Sequence, residues 1–190
     1  MLTSTLTKQV YPLGGGAKRR RAKAEGNLTP FPTIFWLCCP TLKAAVGNLE
    51  RDGLVRAFED RLLRSNLELK RMQAAHEGYA AQRWGSLEPC DRDLCLAEGA
   101  NARILTSLRD SGVGGLDWRR HGAHRIKCLH LHYAQFLASA PGVGGGVRGC
   151  GRENPVGQWV HDEIARRSAA AAGAGEGTES KAAHGASALQ

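Results

Sequence analysis

The sequence has no long apolar run, and that shortage removes several classes of protein at once. Its longest strongly hydrophobic stretch is Phe31-Pro-Thr-Ile-Phe-Trp-Leu-Cys-Cys-Pro40. This is far short of the roughly 20 residues that a spanning helix needs, so no membrane span is expected. The first 30 residues contain no apolar segment of the secretory type, so no signal peptide is expected either. Six cysteines in such a chain read as reduced thiols of an intracellular protein, cytoplasmic in the first instance, not as a disulfide framework. No Cys-x-x-Cys pair occurs, and no internal repeat. Ser111-Gly-Val-Gly-Gly115 carries no Lys-Ser/Thr, which excludes a phosphate-binding P-loop.

Core-forming residues are also scarce at both ends. Residues 168–190 hold one Leu and no Ile, Val, Phe, Tyr or Trp, too little apolar surface to offset ordering entropy. Residues 13–27 are dominated by Gly, Lys and Arg. The expected organisation is a flexible basic arm over 1–29, a single helical domain over 30–168 and a disordered Ala/Gly-rich tail over 169–190. The net charge is +8, from 26 Lys plus Arg against 18 Asp plus Glu. Lys8, Lys18, Arg19, Arg20, Arg21 and Lys23 against Glu25 place +5 of it in the arm. Such a run is ordinarily a solvated tail. Its other readings are a nucleic-acid tether, a nuclear address or an organelle transit sequence. The arm has no interleaved aromatic residue, which counts against stacking on single strands.

What is present is helical periodicity. Residues 31–40 are β-branched and aromatic between prolines and suit a short extended segment or edge strand. Pro40 suits a first helical turn, and apolar residues recur at helical spacing from Thr41 to Leu63, with Gly53 placed to break them into two helices. Further helices are expected over 66–84, 94–110, 124–138 and 155–167, the last with Asn154 as N-cap before Pro155. The fold class is mainly α: a small helical bundle of five or six helices with at most one short N-terminal strand or hairpin.

One expected helix is dense in chemistry. His124-Arg-Ile-Lys-Cys-Leu-His-Leu-His132 carries a cysteine and three histidines, the side chains that bind borderline metals or act as nucleophile and base near neutral pH. On a helical wheel Ile126, Leu129, Tyr133, Phe136 and Leu137 face the core. His124, His132 and Gln135 then share the face of Cys128, and His130 lies at the edge of the core side. Cys128 and His132 could thus reach one ion or each other, and Lys127 beside Cys128 would favour its thiolate. Against this, isolated Cys and His on helices are usually packing or surface residues. Cys90 and Cys95 form a C-x4-C pair with no second pair to complete a zinc knuckle, and Cys150 lies among glycines.

Four ordered segments resemble a known family: Phe31-Pro-Thr-Ile-Phe-Trp-Leu-Cys-Cys-Pro40, Ala75-His-Glu-Gly-Tyr79, Arg125-Ile-Lys-Cys-Leu-His130 and Asn154-Pro-Val-Gly157. They are similar, over about residues 30–160, to the mainly bacterial family called domain of unknown function five-hundred-and-one. Its genes often stand beside those for a septum-formation protein and an exopolyphosphatase. The resemblance implies no reaction. It places Cys39, His76, Cys128, His130 and Asn154 on motif positions, and the family's use of either Cys or His at the position of Cys39 fits a ligand of Zn or Fe. Three departures stand out. Tyr11-Pro12 replaces an upstream Arg-Cys-Pro, Gln135 stands where many members have a second histidine, and residues 144–153 are inserted before Asn154. His132 could substitute for the missing histidine.

The leading expectation is a small protein with a Zn or Fe site, or a thiol site, drawn from Cys39, His76, Cys128, His130 and His132. The alternatives are an enzyme with Cys128 as nucleophile and His132 or His76 as base, and a helical module that binds a protein partner or, through its basic arm, nucleic acid.

Overall fold

Prolines and one glycine set the boundaries that position the core. The structure, a computed structural model, describes residues 6–13, 29–97, 102–139 and 153–182, the last helix by its backbone alone beyond residue 173. Pro40 opens α1 (Pro40–Arg51), where its missing N–H is not needed. Gly53, at φ 81, adopts the left-handed conformation that separates α1 from α2 (Leu54–Leu63). Ser65 caps α3 (Asn66–Gly85), its hydroxyl accepting from the Glu68 N–H at 3.3 Å. Pro89 opens α4 (Pro89–Leu96). A short α5 (Ala102–Leu105) runs into a π turn (Thr106–Asp110) and a 3-10 turn (Val113–Gly115), followed by α6 (Trp118–His121). The last two are α7 (Leu129–Ala138) and α8 (Pro155–Ala182).

The fold is mainly helical, with six helices of eight residues or more among the described residues. Two three-residue strands, β1 (Thr7–Gln9) and β2 (Phe35–Leu37), pair antiparallel with Thr7 opposite Leu37. β1 lies inside the expected arm. The folded part begins before residue 30, because Leu13 is 2% exposed in a small cluster with Leu87, Cys95 and Leu108. The Tyr11 hydroxyl donates to the buried Asp91 at 2.5 Å. At the other end, α8 continues past the boundary expected at residue 168 to Ala182, in keeping with the high helix propensity of its alanines. No helix among the described residues is long and apolar enough to cross a membrane.

α7 is the centre of the bundle. Leu129, His132, Tyr133, Ala134, Gln135 and Leu137 are all buried, the pattern of a helix covered on every side. It packs on α8, β2 and α1. Gly157 lets α8 come close: a Cβ there would lie 2.5 Å from Phe136 Cβ and 2.7 Å from the His132 carbonyl oxygen.

α3 pins the turns around residues 108–115 with one stripe of side chains. Arg83 is fully buried and spends all five N–H donors. Its Nε donates to Leu108 O at 2.7 Å, Nη1 to Pro32 O at 3.1 Å and Gly112 O at 3.2 Å, and Nη2 to Ser111 O and Ser111 Oγ. These include carbonyls that the end of the π turn leaves without partners. Burial lowers the Arg83 pKa to about 10, against opposing pulls from Tyr79 and Asp110, so the guanidinium stays charged at neutral pH. Tyr79, on the same stripe, accepts from the Ile34 N–H at 2.8 Å.

Two expected helices differ. The segment over 94–110 divides into α4 and the α5–π unit, with residues 98–101 outside the described residues. The helix expected from residue 124 begins only at Leu129. Carboxylates from other helices take the amides that a longer helix would use. Glu59 Oε1 accepts from Ile126 N at 2.8 Å and Glu50 Oε1 from Leu129 N at 2.6 Å.

Candidate metal centre at the start of α7

The late start of α7 makes Cys128 an N-cap residue with extended backbone, φ −164 and ψ 155. Glu50 reaches the same point from the last turn of α1, and His130 from the first turn of α7. One ligand atom from each of Glu50, Cys128 and His130 lies within 4.8 Å of the other two, and all three residues are half-buried.

The hydrogen bonds of His130 define what the site requires. Its Nε2 is 3.1 Å from Lys43 O. A carbonyl only accepts, so Nε2 carries the hydrogen and donates it. Its Nδ1 is 3.1 Å from Glu50 Oε1, which also accepts from Leu129 N. A neutral ring with Nε2–H has a lone pair at Nδ1, aimed here at a carboxylate. Two acceptors cannot share that contact alone, so a second ring proton or a cation must stand between them.

The Cys128 thiol pKa lies above its ordinary value. Burial raises it most and Glu50 adds to this, against the opposing effects of the Leu131 and His130 amides and Lys127. Without a cation the sulfur therefore keeps its proton at neutral pH, and a bound metal would displace it. Both ring nitrogens of His130 already face oxygen, so it is not set up as the base of a Cys128 nucleophile.

The other expected residues lie elsewhere. His76, on α3, stacks on Trp118 with centroids 5.7 Å apart, and its Nδ1 accepts from Val113 N at 3.1 Å. Burial lowers its pKa to about 4, with the Ala123 carbonyl opposing. His132 is fully buried between α3 and α8, where Asn154 Nδ2 meets its Nδ1 at 3.1 Å. Its pKa is lowered to about 3, by burial first and His76 second. The Asn154 amide is oriented by its N-cap role, since its Oδ1 accepts from Gly157 N at 3.0 Å while Nδ2 donates to Gln135 Oε1 at 2.8 Å. In both histidines the Nδ1 lone pair is taken and Nε2 keeps its hydrogen. Neither offers a lone pair to a metal.

Cys39, half-buried at the N-cap of α1, is not among the converging atoms. It lies by Tyr133, whose pKa is raised by burial and then by Cys39, and whose hydroxyl is 3.3 Å from His161 Nδ1. His124 precedes α7 in the chain and is not on its face. Cys90 is exposed whereas Cys95 is buried in the small cluster, so α4 does not bring the pair together. Cys150 and the basic run at 18–23 lie outside the described residues.

Glu50 was not legible as a site residue, although one signal existed. A carboxylate in the last turn of a helix opposes the helix dipole, which marks an acid held there by something else.

A family model described as a protein of unknown function (DUF501) matches residues 9–162. No curated protein and no solved structure matches the chain.

Proposed function

The chain belongs to the DUF501 family of unknown function, and from that premise we propose that it is a metal-binding protein. Glu50, Cys128 and His130 hold one borderline divalent cation, Zn or Fe. The observation that carries this reading is the His130 ring, with Nε2 on the Lys43 carbonyl and Nδ1 facing the Glu50 carboxylate, both at 3.1 Å. A metal-bound histidine characteristically donates its second N–H to a carbonyl or carboxylate and points its lone pair at the ion.

Three supports follow from elementary chemistry. A carboxylate, a thiolate and a neutral imidazole together neutralise a divalent ion, so loading would remove the lone-pair conflict and the protonated thiol at once. The ligand atoms lie within 4.8 Å of one another, and a tetrahedral ion with bonds of about 2.0–2.3 Å needs separations of roughly 3.3–3.8 Å, so the His130–Glu50 pair at 3.1 Å would open slightly around it by side-chain rotation. Three protein ligands at a half-buried position also leave one coordination site open, as in catalytic and not in closed structural zinc centres. When bound, the ion would supply Lewis-acid character at that position.

Elemental analysis tests the reading on protein expressed without added metal. About one equivalent of Zn or Fe is expected, lost in Cys128→Ala and His130→Ala and retained in Cys39→Ala. Less than a tenth of an equivalent, unchanged by Cys128→Ala and not raised on incubation with zinc, would refute it.

A further inference from the structure

The turns that Arg83 holds carry a group of arginines with too few acids to match them. Arg109 donates twice to the Asp110 carboxylate, at 2.8 and 3.2 Å. Arg119 donates to the Asp110 carbonyl at 2.7 Å, and its guanidinium lies 4.6 Å from the centre of the Trp118 ring. Arg120 follows on α6 and, like Arg109 and Arg119, is exposed. Behind Asp110, the buried Arg83 gives its donors to carbonyls and to the Ser111 hydroxyl, not to a carboxylate. Asp110 and Asp117, which accepts from Arg120 N at 3.3 Å, are the acids of these turns. Four guanidiniums therefore face two carboxylates. Arg83 also fixes an aromatic pair beside this corner. Its Nη1 donates to Pro32 O at 3.1 Å and Gly112 O at 3.2 Å, so those carbonyls lie within about 6 Å of each other. Pro32 packs on the same turns, its Cγ 2.6 Å from where a Cβ of Gly115 would stand. Phe31, the residue before it, stacks on Trp36 with centroids 6.0 Å and planes 13° apart. The two residues are 38% and 46% exposed. By these links the Cα atoms of Phe31 and Asp110 are within roughly 20 Å.

We propose that this corner binds single-stranded nucleic acid, with bases on the Phe31–Trp36 stack and phosphates on Arg109, Arg119 and Arg120. Guanidinium forks match phosphate oxygens, and aromatic faces take bases of any sequence. The stack supplies the aromatic part that the basic arm lacks. Residues 1–30, which lead into Phe31, carry +5 of the net charge, which favours encounter with a polyanion. A bilayer fits less well. The exposed leucines Leu63 and Leu67 lie at the start of α3, and Leu67 is roughly 24 Å from Arg83 by helical rise. None of the proposed metal ligands belongs to this corner, so the inference is independent of the metal-centre reading.

The test is fluorescence anisotropy of labelled oligouridine and oligothymidine, each about 12 nucleotides long, with the full-length protein over a series of salt concentrations. A duplex of the same length and anionic phospholipid vesicles are titrated alongside. Saturable binding to a single strand, tighter than to the duplex, is expected. Trp36→Ala should weaken it at least about fivefold and leave its salt dependence unchanged, whereas Trp36→Phe should keep most of the affinity. Arg120→Gln, which removes an exposed side chain, should make the slope of log K against log salt shallower by about 0.7, the share of one phosphate contact. Binding to neither single strand, or tighter binding to the duplex, would overturn the proposal. So would an unchanged affinity in Trp36→Ala or an unchanged slope in Arg120→Gln. Vesicle binding without oligonucleotide binding would overturn it in favour of a membrane surface.

Discussion

Acid should unfold this protein through two buried histidines. His76 and His132 are fully buried and neutral, with pKa values lowered to about 4 and about 3 from 6.5. The unfolded chain takes up protons at both as pH falls below 6.5, and the folded chain does not until pH approaches 4 and 3. Their contribution to stability is therefore complete above the unfolded value and is lost as pH falls through the window down to the folded values. At pH 5 each histidine is about 1.5 units below its unfolded pKa, which costs roughly 2 kcal/mol apiece and about 4 kcal/mol together. That is a large share of the 5–15 kcal/mol typical of a domain. Urea denaturation at a series of pH values measures it. Between about pH 6 and 5 the unfolding free energy should fall with a mean slope of about 1.7 protons, roughly 2.4 kcal/mol per pH unit. His132→Leu should lower the slope by about one proton whatever it does to stability at pH 7.5. Glu163, whose pKa is lowered to about 2 by its bonds to Arg166 and Arg167, also destabilises on protonation, but below this window. A slope under one proton between pH 6 and 5, or no change in His132→Leu, would show that these two histidines do not govern the acid limb.

Three further perturbations follow from the packing and the site. Arg83→Met leaves the carbonyls of Pro32, Leu108 and Ser111 without their donor, while Gly112 O keeps the Gly115 N–H, and should cost about 3–5 kcal/mol by urea denaturation; a loss below about 1 kcal/mol would show that Arg83 does not hold these turns. Gly157→Ala should cost about 2–3 kcal/mol, since the His132 carbonyl oxygen 2.7 Å from the new Cβ is backbone and cannot rotate away; a Tm equal to wild type would show that α7 and α8 separate freely. Glu50→Gln keeps an oxygen for the Leu129 N–H and removes the charge, so zinc affinity should fall at least tenfold, with metal-free stability changed by less than about 1 kcal/mol. Equal zinc affinity by competition with a chromophoric chelator would remove Glu50 from the ligand set.

The parts of the fold legible in the sequence are those written locally. Pro40, Gly53 and Pro155 mark boundaries by their own backbone chemistry, and Asn154 occupies the N-cap expected of it. The parts that were not legible depend on distant partners. α7 starts at Leu129 because Glu50 and Glu59, 79 and 67 residues away from the amides they capture, hold the preceding segment out of the helix. That displacement changes the chemistry read from the helix. Cys128 leaves the wheel on which it paired with His132 and joins His130 and Glu50 instead. His76 and His132 have the residue type of ligands, yet their lone pairs are spent on Val113 N–H and the Asn154 amide, partners 37 and 22 residues away. A dense run of Cys and His therefore supplied Cys128 and His130 to the candidate site and His132 to the core.

The ion we propose for this protein is shared by Glu50, Cys128 and His130. Zinc-edge X-ray absorption on the protein as purified, or after loading with one equivalent of zinc, tests it most directly. The expected shell is one sulfur at about 2.3 Å with nitrogen and oxygen neighbours at about 2.0–2.1 Å, including one imidazole, and the sulfur disappears in Cys128→Ser. A shell of nitrogen and oxygen alone, or one with two or more sulfurs, would contradict the assignment.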